Sequence, residues 1–398
     1  MHNNESASVS AALSQRIHRA ITEAGGWLPF DRFMAMALYT PGLGYYASGS
    51  RQFGAMPSSG SDFVTAPELS PLFGRALSRQ VAQALQACEA DEVWEFGAGS
   101  GALANQLLDA LGKPGTNQVR KYTIVDLSGS LRQRQQETLA RFGDVVHWVD
   151  ALPDALHGVV VGNEVLDAMP VQLLHWNGAQ WFERGVVSVV LDGGVIDGAP
   201  IDVEKSADTP HDAPIRAFAW GDRPTDLRPP VDTGFAPDTT IEIHPQAQAF
   251  IATLAERLTR GAAFFIDYGF PEREYYHPQR LGGTLMCHRG HLADINPLAD
   301  VGYKDITAHV DFTGIAVAGQ DAGLDVLGYT SQARFLLNCG LLADLKGAGP
   351  RELGRAQMLL AEHEMGELFK VLGFARGAAP SLLDAPLGFL EGDRTHTL

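Results

Sequence analysis

The chain has 398 residues, 45% hydrophobic and 19% charged, a globular mix too long for one ordinary domain and short for three. Thirty Lys and Arg against 47 Asp and Glu leave a net charge of −17, which argues against broad nucleic-acid binding and suits a cationic partner. The three cysteines, Cys88, Cys287 and Cys339, form no CxxC pair and no zinc spacing, so a reduced, cytoplasmic setting is expected and a structural metal is not.

The opening MHNNESASVS has no basic-then-apolar pattern and no Arg-rich amphipathic character, so neither a signal peptide nor a mitochondrial presequence is expected. No run of 18 apolar residues occurs, so no membrane span is expected. Residues 11–24 predict a helix on the spacing of Leu13, Ile17, Ala20 and Ile21. PFDRFMAMALY follows as a second helix. A Gly-, Ser- and aromatic-rich stretch ending in SDFVTAPE reads as an ordered loop, and residues 71–85 as a helix. A strand–helix rhythm begins at VWEF and continues through YTIVD, VVHWVD and GVVVGN, which predicts a parallel sheet covered on both faces by helices. From residue 171 to about 238 the pattern alternates and is turn-rich, as in an antiparallel insertion. Residues 245–260 then predict a helix, AAFFID a fifth strand, residues 310–323 a helix and LDVLGY a strand. QARFLLNCGLL and AQMLLAEHEMGELFKVL read as two further helices.

The strongest local motif is VWEFGAGSGALANQL. Gly97, Gly99 and Gly101 follow a strand and precede a helix, where glycine allows a tight turn and close approach to a ligand. As G-x-G-x-x-A the loop fits a nicotinamide dinucleotide. As E-x-G-x-G-x-G it fits the first motif of class I S-adenosylmethionine methyltransferases. Glu95 favours the second, because a carboxylate repels a pyrophosphate and attracts a cationic methionyl end. Asp126, 25 residues after Gly101 and next to Leu127, ends the following strand where an acid accepts from ribose hydroxyls in either class. Asp150 ends the third strand, a usual place for contact with adenine.

Along most of its length the sequence resembles the MidA-like S-adenosylmethionine-dependent methyltransferases, which include a mitochondrial complex I assembly factor. The likeness is carried by GYY, SDFVTAPELSPLFGRAL, EFGAGSGALA, GNEVLDAMPVQ, IDYGFPEREYY, GTLMCHRGH, DITAHVDFTGIA and EMGELFKVLGFARG, in that order, over residues 13 to 377. Phe96, Ala98 and Ala102 replace the family's usual Leu, Pro and Thr in the glycine motif, and Ser61 stands where the family has Gly. The resemblance implies a Rossmann-like α/β class I fold, a mostly parallel seven-stranded sheet with helices on both faces and an inserted smaller substrate-side region. It divides the chain into a helical segment and cofactor-covering loop (1–80), the cofactor-binding half of the domain (81–170), an antiparallel insertion (171–240), the second half (241–330) and a C-terminal helical region (331–398). It implies S-adenosyl-L-methionine as cofactor, covered by Asp62, Thr65, Pro67 and Glu68. The structural alternative for Thr65 is a cap on the next helix. It also implies methyl transfer to a protein, with arginine of a respiratory complex I subunit as acceptor in the mitochondrial branch. A homodimer is compatible with it.

VVVGNEVLDAMPVQLLHW carries the acceptor-side candidates. The apolar strand delivers Asn163 to the carboxyl edge of the sheet, where ligands bind, and Glu164 and Asp167 follow at once. Two acids there could clamp a guanidinium, whose planar fork of donors suits paired carboxylates. The alternative is that Asn163 or Asp167 caps a short helix. Asp267 and Tyr268 end the fifth strand on the same edge. His309 and Asp311 offer a possible proton relay, with a structural role as the alternative. His288 and His291 with Cys287 lack a fourth metal partner at standard spacing. The competing functions are an NAD-dependent oxidoreductase, a nucleic-acid methyltransferase, and an assembly factor that binds the cofactor but acts by gripping a partner.

Overall fold

The structure is a computed structural model. It describes residues 2–47, 64–112, 119–126, 129–191, 195–196, 199–200, 216–232, 234–290 and 292–398. The chain divides into two compact units. One comprises residues 1–50, 170–245 and 276–308, the other residues 51–169, 246–275 and 309–398. The segments expected at 1–80 and 241–330 are each shared between the two units.

The larger unit is built on seven strands: β1 (Glu92–Phe96), β2 (Lys121–Val125), β3 (Val146–Val149), β4 (Leu156–Asn163), β5 (Leu258–Phe270), β6 (Asp325–Ser331) and β7 (Phe369–Arg376). Their order is β6-β7-β5-β4-β1-β2-β3, and the pair Val310–Asp311 adds a short parallel bridge to β5. β1 pairs in parallel with β2 and β4, β2 with β3, and β4 with β5, while β7 runs antiparallel to both neighbours. This is the mixed, mostly parallel sheet of class I methyltransferases, as the sequence implied. The central strands are near-continuous apolar runs because helices cover both faces. Alternate residues therefore enter different cores. Val159, Val161, Phe264 and Ile266 face α1 (Pro71–Cys88) and α2 (Ala102–Leu111). Val160, Ala263 and Phe265 face the other side, with residues of α4 (Pro245–Arg257) and α5 (Phe312–Asp321). α3 (Gly129–Leu139) joins β2 to β3. Phe264 and Phe265 are fully buried, each contributing about 1.5–3 kcal/mol of transfer free energy.

One predicted element is corrected. Residues 356–372 do not form one helix. The helix Pro350–Leu360 stops, the backbone leaves helical space at Glu364 (φ −113°, ψ −129°), and Phe369–Arg376 is β7. FKVLGFA is buried on both faces, and an uninterrupted apolar run has no period to separate a core helix from a core strand. The C-terminal region is thus not only helical. It completes the sheet and sets Lys370 opposite Asp267 and Phe369 opposite Tyr268.

The smaller unit is mainly antiparallel. Trp181–Val190 pairs with Leu28–Pro29, Gln172–Trp176 and Arg216–Pro224, and Gln172–Trp176 pairs with Thr239–Ile243. Met286–Arg289 lies between Leu292–Asp294 and Asp305–Thr307. Its core contains Ile17, Ile21, Phe30, Phe33, Leu173 and Val186. Buried Glu242 accepts from the backbone N–H groups of Thr284 (2.9 Å) and Leu285 (3.0 Å), tying a strand to the chain that follows the larger unit's fifth strand in sequence. Among the described residues no helix is long and apolar enough to cross a membrane.

Candidate functional site

The site candidates that the structure describes lie in the larger unit, near the carboxyl ends of β1 to β5, at the bridge beside β5 or in the segment before α1, while Cys287 and His288 lie in the smaller unit. Asp62 and Leu127 lie outside the described residues.

The glycine loop joins β1 to α2. Gly97, Gly99 and Gly101 all have left-handed backbone, with φ of 62°, 53° and 84°. A Cβ on Gly97 would stand 2.9 Å from the Val165 side chain, so the loop packs directly on the acidic turn after β4. The segment carrying Thr65, Pro67 and Glu68 is pinned to the same loop. Ser100 Oγ donates to Glu68 Oε1, Gln106 Nε2 donates to the Pro67 carbonyl (2.7 Å), and Gln106 Oε1 accepts from Gly74 N (2.9 Å). Thr65 occupies the N-cap position of Ala66–Leu69, but its side chain makes no capping bond.

Asp126 follows β2. Its Oδ2 accepts from Gln135 Nε2 (2.7 Å), which also donates to the Gly99 carbonyl (3.1 Å). Gln135 Oε1 accepts from Trp148 Nε1 (2.9 Å). One fully buried amide thus links the glycine loop, Asp126 and β3. Gln135 was not singled out from the sequence. The signal was present, since it sits between Leu131 and Leu139 at i+4 spacing, a polar residue in a buried apolar stripe. Arg132 Nη2 donates to the Asp126 carbonyl (3.1 Å) and pairs with Asp150, whose side chain is 75% exposed.

Glu95 is 2% exposed, and its Oε2 accepts from the Tyr122 hydroxyl (2.6 Å). Burial pushes its pKa up to about 8, against the pull of the Tyr122 hydrogen bond, and the nearby Asp126 charge adds to the rise. The sequence argument expected a charged acid presented from the strand end. The structure holds this carboxyl inside the sheet on a phenol.

β4 delivers Asn163 at 8% exposure. Its Nδ2 donates to Glu164 Oε1 (2.9 Å), and its buried Oδ1 has no hydrogen-bond partner among the described residues. Glu164 has φ 55°, a left-handed conformation that costs a non-glycine residue about 1 kcal/mol or more. No helix follows, so the capping alternative for Asn163 and Asp167 does not describe this turn. Its backbone instead converges on Asp267, whose Oδ2 accepts from the N–H groups of Val165 (3.1 Å), Leu166 (2.9 Å) and Asp167 (3.3 Å). Asp167 is 4% exposed and its Oδ2 accepts from the Tyr268 hydroxyl. Burial raises Asp167 to about 6, while the phenol pulls it down. Burial, then the Asp167 and Glu164 charges, raise Asp267.

His309 lies flat on Phe270 (5.3 Å between ring centroids, 2° between planes) and meets Tyr268 edge-on (5.1 Å, 73°). Asp311 caps α5, accepting from Gly314 N (3.2 Å), and burial pushes it up to about 7.

The sequence matches, over residues 76–330, a family described as "Putative S-adenosyl-L-methionine-dependent methyltransferase". The chain belongs to this methyltransferase family. The crystal structure of a Burkholderia thailandensis protein bound to S-adenosyl-homocysteine is 46% identical, with a TM-score of 0.87 over 99% of this chain and 98% of that one. The zebrafish (Danio rerio) protein arginine methyltransferase NDUFAF7, mitochondrial, is 27% identical over 399 residues, covering 89% of this chain and 85% of its own. The Caenorhabditis elegans homolog is 25% identical over 342 residues, 79% and 74%.

S-adenosyl-L-methionine is the family's cofactor and this chain's, and the residues fit it. Asp126 would offer its carboxylate to ribose hydroxyls, and the glycine loop's left-handed backbone would allow close approach. Asn163 Oδ1 supplies an orphaned buried acceptor on the neighbouring strand. The cofactor supplies an electrophilic methyl group. The chain's own residues must place an acceptor in line with it and manage the acceptor's charge.

Proposed function

We propose that this methyltransferase modifies an arginine side chain of a protein substrate. The observation that carries the reading is the acidic turn after β4, with Asn163 ending the strand, Glu164 and Asp167 within the next four residues, and Asp167 held by Tyr268. The relatives named protein arginine methyltransferase support the choice of acceptor.

Glu164 and Asp167 would accept from the guanidinium N–H groups, drawing its positive charge toward themselves and leaving the remaining nitrogen more nucleophilic. The attacking nitrogen must lose one proton as its new bond to carbon forms. Asp167, ionised above about pH 6, takes that proton and passes it to water. Asn163 Oδ1 accepts from the attacking nitrogen and aims its lone pair. A respiratory complex I subunit as acceptor and a cytoplasmic location are the further expectations of this reading.

The test is methyl labelling. Protein from cells lacking this chain is incubated with the purified protein and tritiated S-adenosyl-L-methionine, and the labelled residue is found by mass spectrometry. Methylarginine is expected. Label on lysine or on RNA overturns the reading.

A further inference from the structure

We propose that Asp267 and Tyr268 at the end of β5 are positioning residues for methyl transfer: the carboxylate of one ties down the backbone of the acidic turn, and the phenol of the other orients Asp167. The proposal rests on the reading that Asp167 faces the acceptor.

The geometry begins with register. β4 and β5 are parallel, with Asn163 beside Ile266, so the residues just after each lie side by side. The Glu164 N–H donates to the Ile266 carbonyl (2.9 Å), which carries the pairing one residue past the strand. Beyond that point the turn has no ladder of its own. The next three N–H groups, of Val165, Leu166 and Asp167, all point at one oxygen, Asp267 Oδ2, and Asp267 Oδ1 accepts from its own neighbour, Tyr268 N (3.0 Å). Four backbone donors on one buried carboxylate fix the turn in a shape that includes left-handed Glu164. Each hydrogen bond contributes an amount comparable to the strain of one left-handed residue, so four together exceed it.

Tyr268 acts on the side chain. Its hydroxyl donates to Asp167 Oδ2, and its ring is wedged edge-on between His309 and Phe369 (5.1 and 5.3 Å). The phenol is therefore held from both sides while its hydroxyl holds the acid. The charged and titratable groups around Asp167 are Glu164 on its own turn, Asp267 and Tyr268 on β5, His309 against the Tyr268 ring, and Lys370 on β7 opposite Asp267. Lys370 is buried and donates to the carbonyl of Leu368 (3.4 Å) and to that of Glu367.

The two residues act on Asp167 by different routes. The Tyr268 hydroxyl stabilises the charged Asp167 carboxylate, whereas Asp267, itself raised by burial and by the Asp167 charge, acts through the backbone of the turn. Tyr268→Phe removes the donor and keeps the ring, while Asp267→Asn weakens the anchor on the turn. The readout is the carboxyl carbon of Asp167, followed by 13C NMR in the purified chain with S-adenosyl-homocysteine added and assigned by its loss in Asp167→Asn. The midpoint is expected to move up in Tyr268→Phe by roughly half a pH unit or more, and methyl transfer to fall in Asp267→Asn as the turn loses its anchor. The acid limb of the methyl-transfer rate, measured on protein from cells lacking the chain, is expected to move with that midpoint, while cofactor affinity stays within about threefold. An unchanged midpoint in Tyr268→Phe overturns the proposal, and this variant decides alone if Asp267→Asn fails to fold. Because the resonance is read without any acceptor, failure here is distinct from failure of the arginine reading, which shows in the identity of the labelled residue.

Discussion

The glycine loop with its amide bracket and the acidic turn beyond β4 touch at Gly97 and Val165, yet they are held by different means. On the donor side, three left-handed glycines and one buried amide, Gln135, do the work, and the partners of that amide all lie between residues 99 and 148. On the acceptor side the turn is held by carboxylates, and its anchors, Asp267 and Tyr268, come about a hundred residues later in the chain. Neutral groups suit a loop that must admit a cationic ligand near Asp126 without fixing charge of its own. Under the proposed arginine reading the buried acids would compensate an incoming cation, which accounts for carboxyls held at raised pKa values by burial.

The contrast breaks most sharply at Asp167. Asp167→Asn keeps the shape and removes the charge. Methyl transfer is expected to fall on the order of a thousandfold, with S-adenosyl-homocysteine affinity by calorimetry nearly unchanged. A comparable loss of cofactor affinity would show that the two sides are one unit. Gly97→Ala is the converse. It puts a Cβ 2.9 Å from Val165 on a left-handed backbone, costing about 1–2 kcal/mol, so cofactor affinity is expected to drop about tenfold. Gln135→Met, similar in volume, removes the bracket on Asp126 and leaves the Trp148 N–H unpaired, and a loss of about 1–3 kcal/mol in stability is expected in urea unfolding.

Glu95 tests the donor side by pH. Its pKa rises from 4.5 to about 8 on folding, so the native chain keeps a proton that the unfolded chain releases. That contribution to stability is fully present below about pH 4.5 and is lost as pH rises to about 8. Glu95→Gln is expected to flatten this slope in urea titrations at several pH values. An unchanged slope would mean that Glu95 is charged in the folded chain, as the sequence argument supposed.

The donor side was legible because its signals are local. A strand, three glycines and an acid at the next strand end are read from one short window, and the parallel sheet follows from repetition of that rhythm. Asn163, Glu164 and Asp167 were legible as polar residues closing an apolar strand. What held them was not, since Asp267 reaches the turn only through the pairing of β4 with β5, and no spacing in the sequence encodes that register. β7 was missed for the opposite reason. Residues buried on both faces carry no alternation, so an apolar run preceded by a helix reads as more helix. Gln135 lay between these cases, visible as a polar break in an apolar stripe but without a stated partner.

The smallest effect is expected at Asp150, where the contrast between local and distant anchoring has least at stake. Its side chain is 75% exposed and its partner Arg132 is 30% exposed, so the ion pair is screened by solvent and contributes at most a few tenths of a kcal/mol. Asp150→Ala should therefore leave the urea midpoint almost unchanged. Cofactor affinity separates two roles that stability does not. If the carboxylate only pairs with Arg132, S-adenosyl-homocysteine binds as before. If it accepts from the adenine amino group, as its place at the end of β3 suggests, affinity falls several-fold, and adenosine analogues lacking that amino group lose the same factor against the unmodified chain but not against the variant. The double comparison isolates one hydrogen bond from the surrounding surface, because only a direct contact makes the two losses coincide.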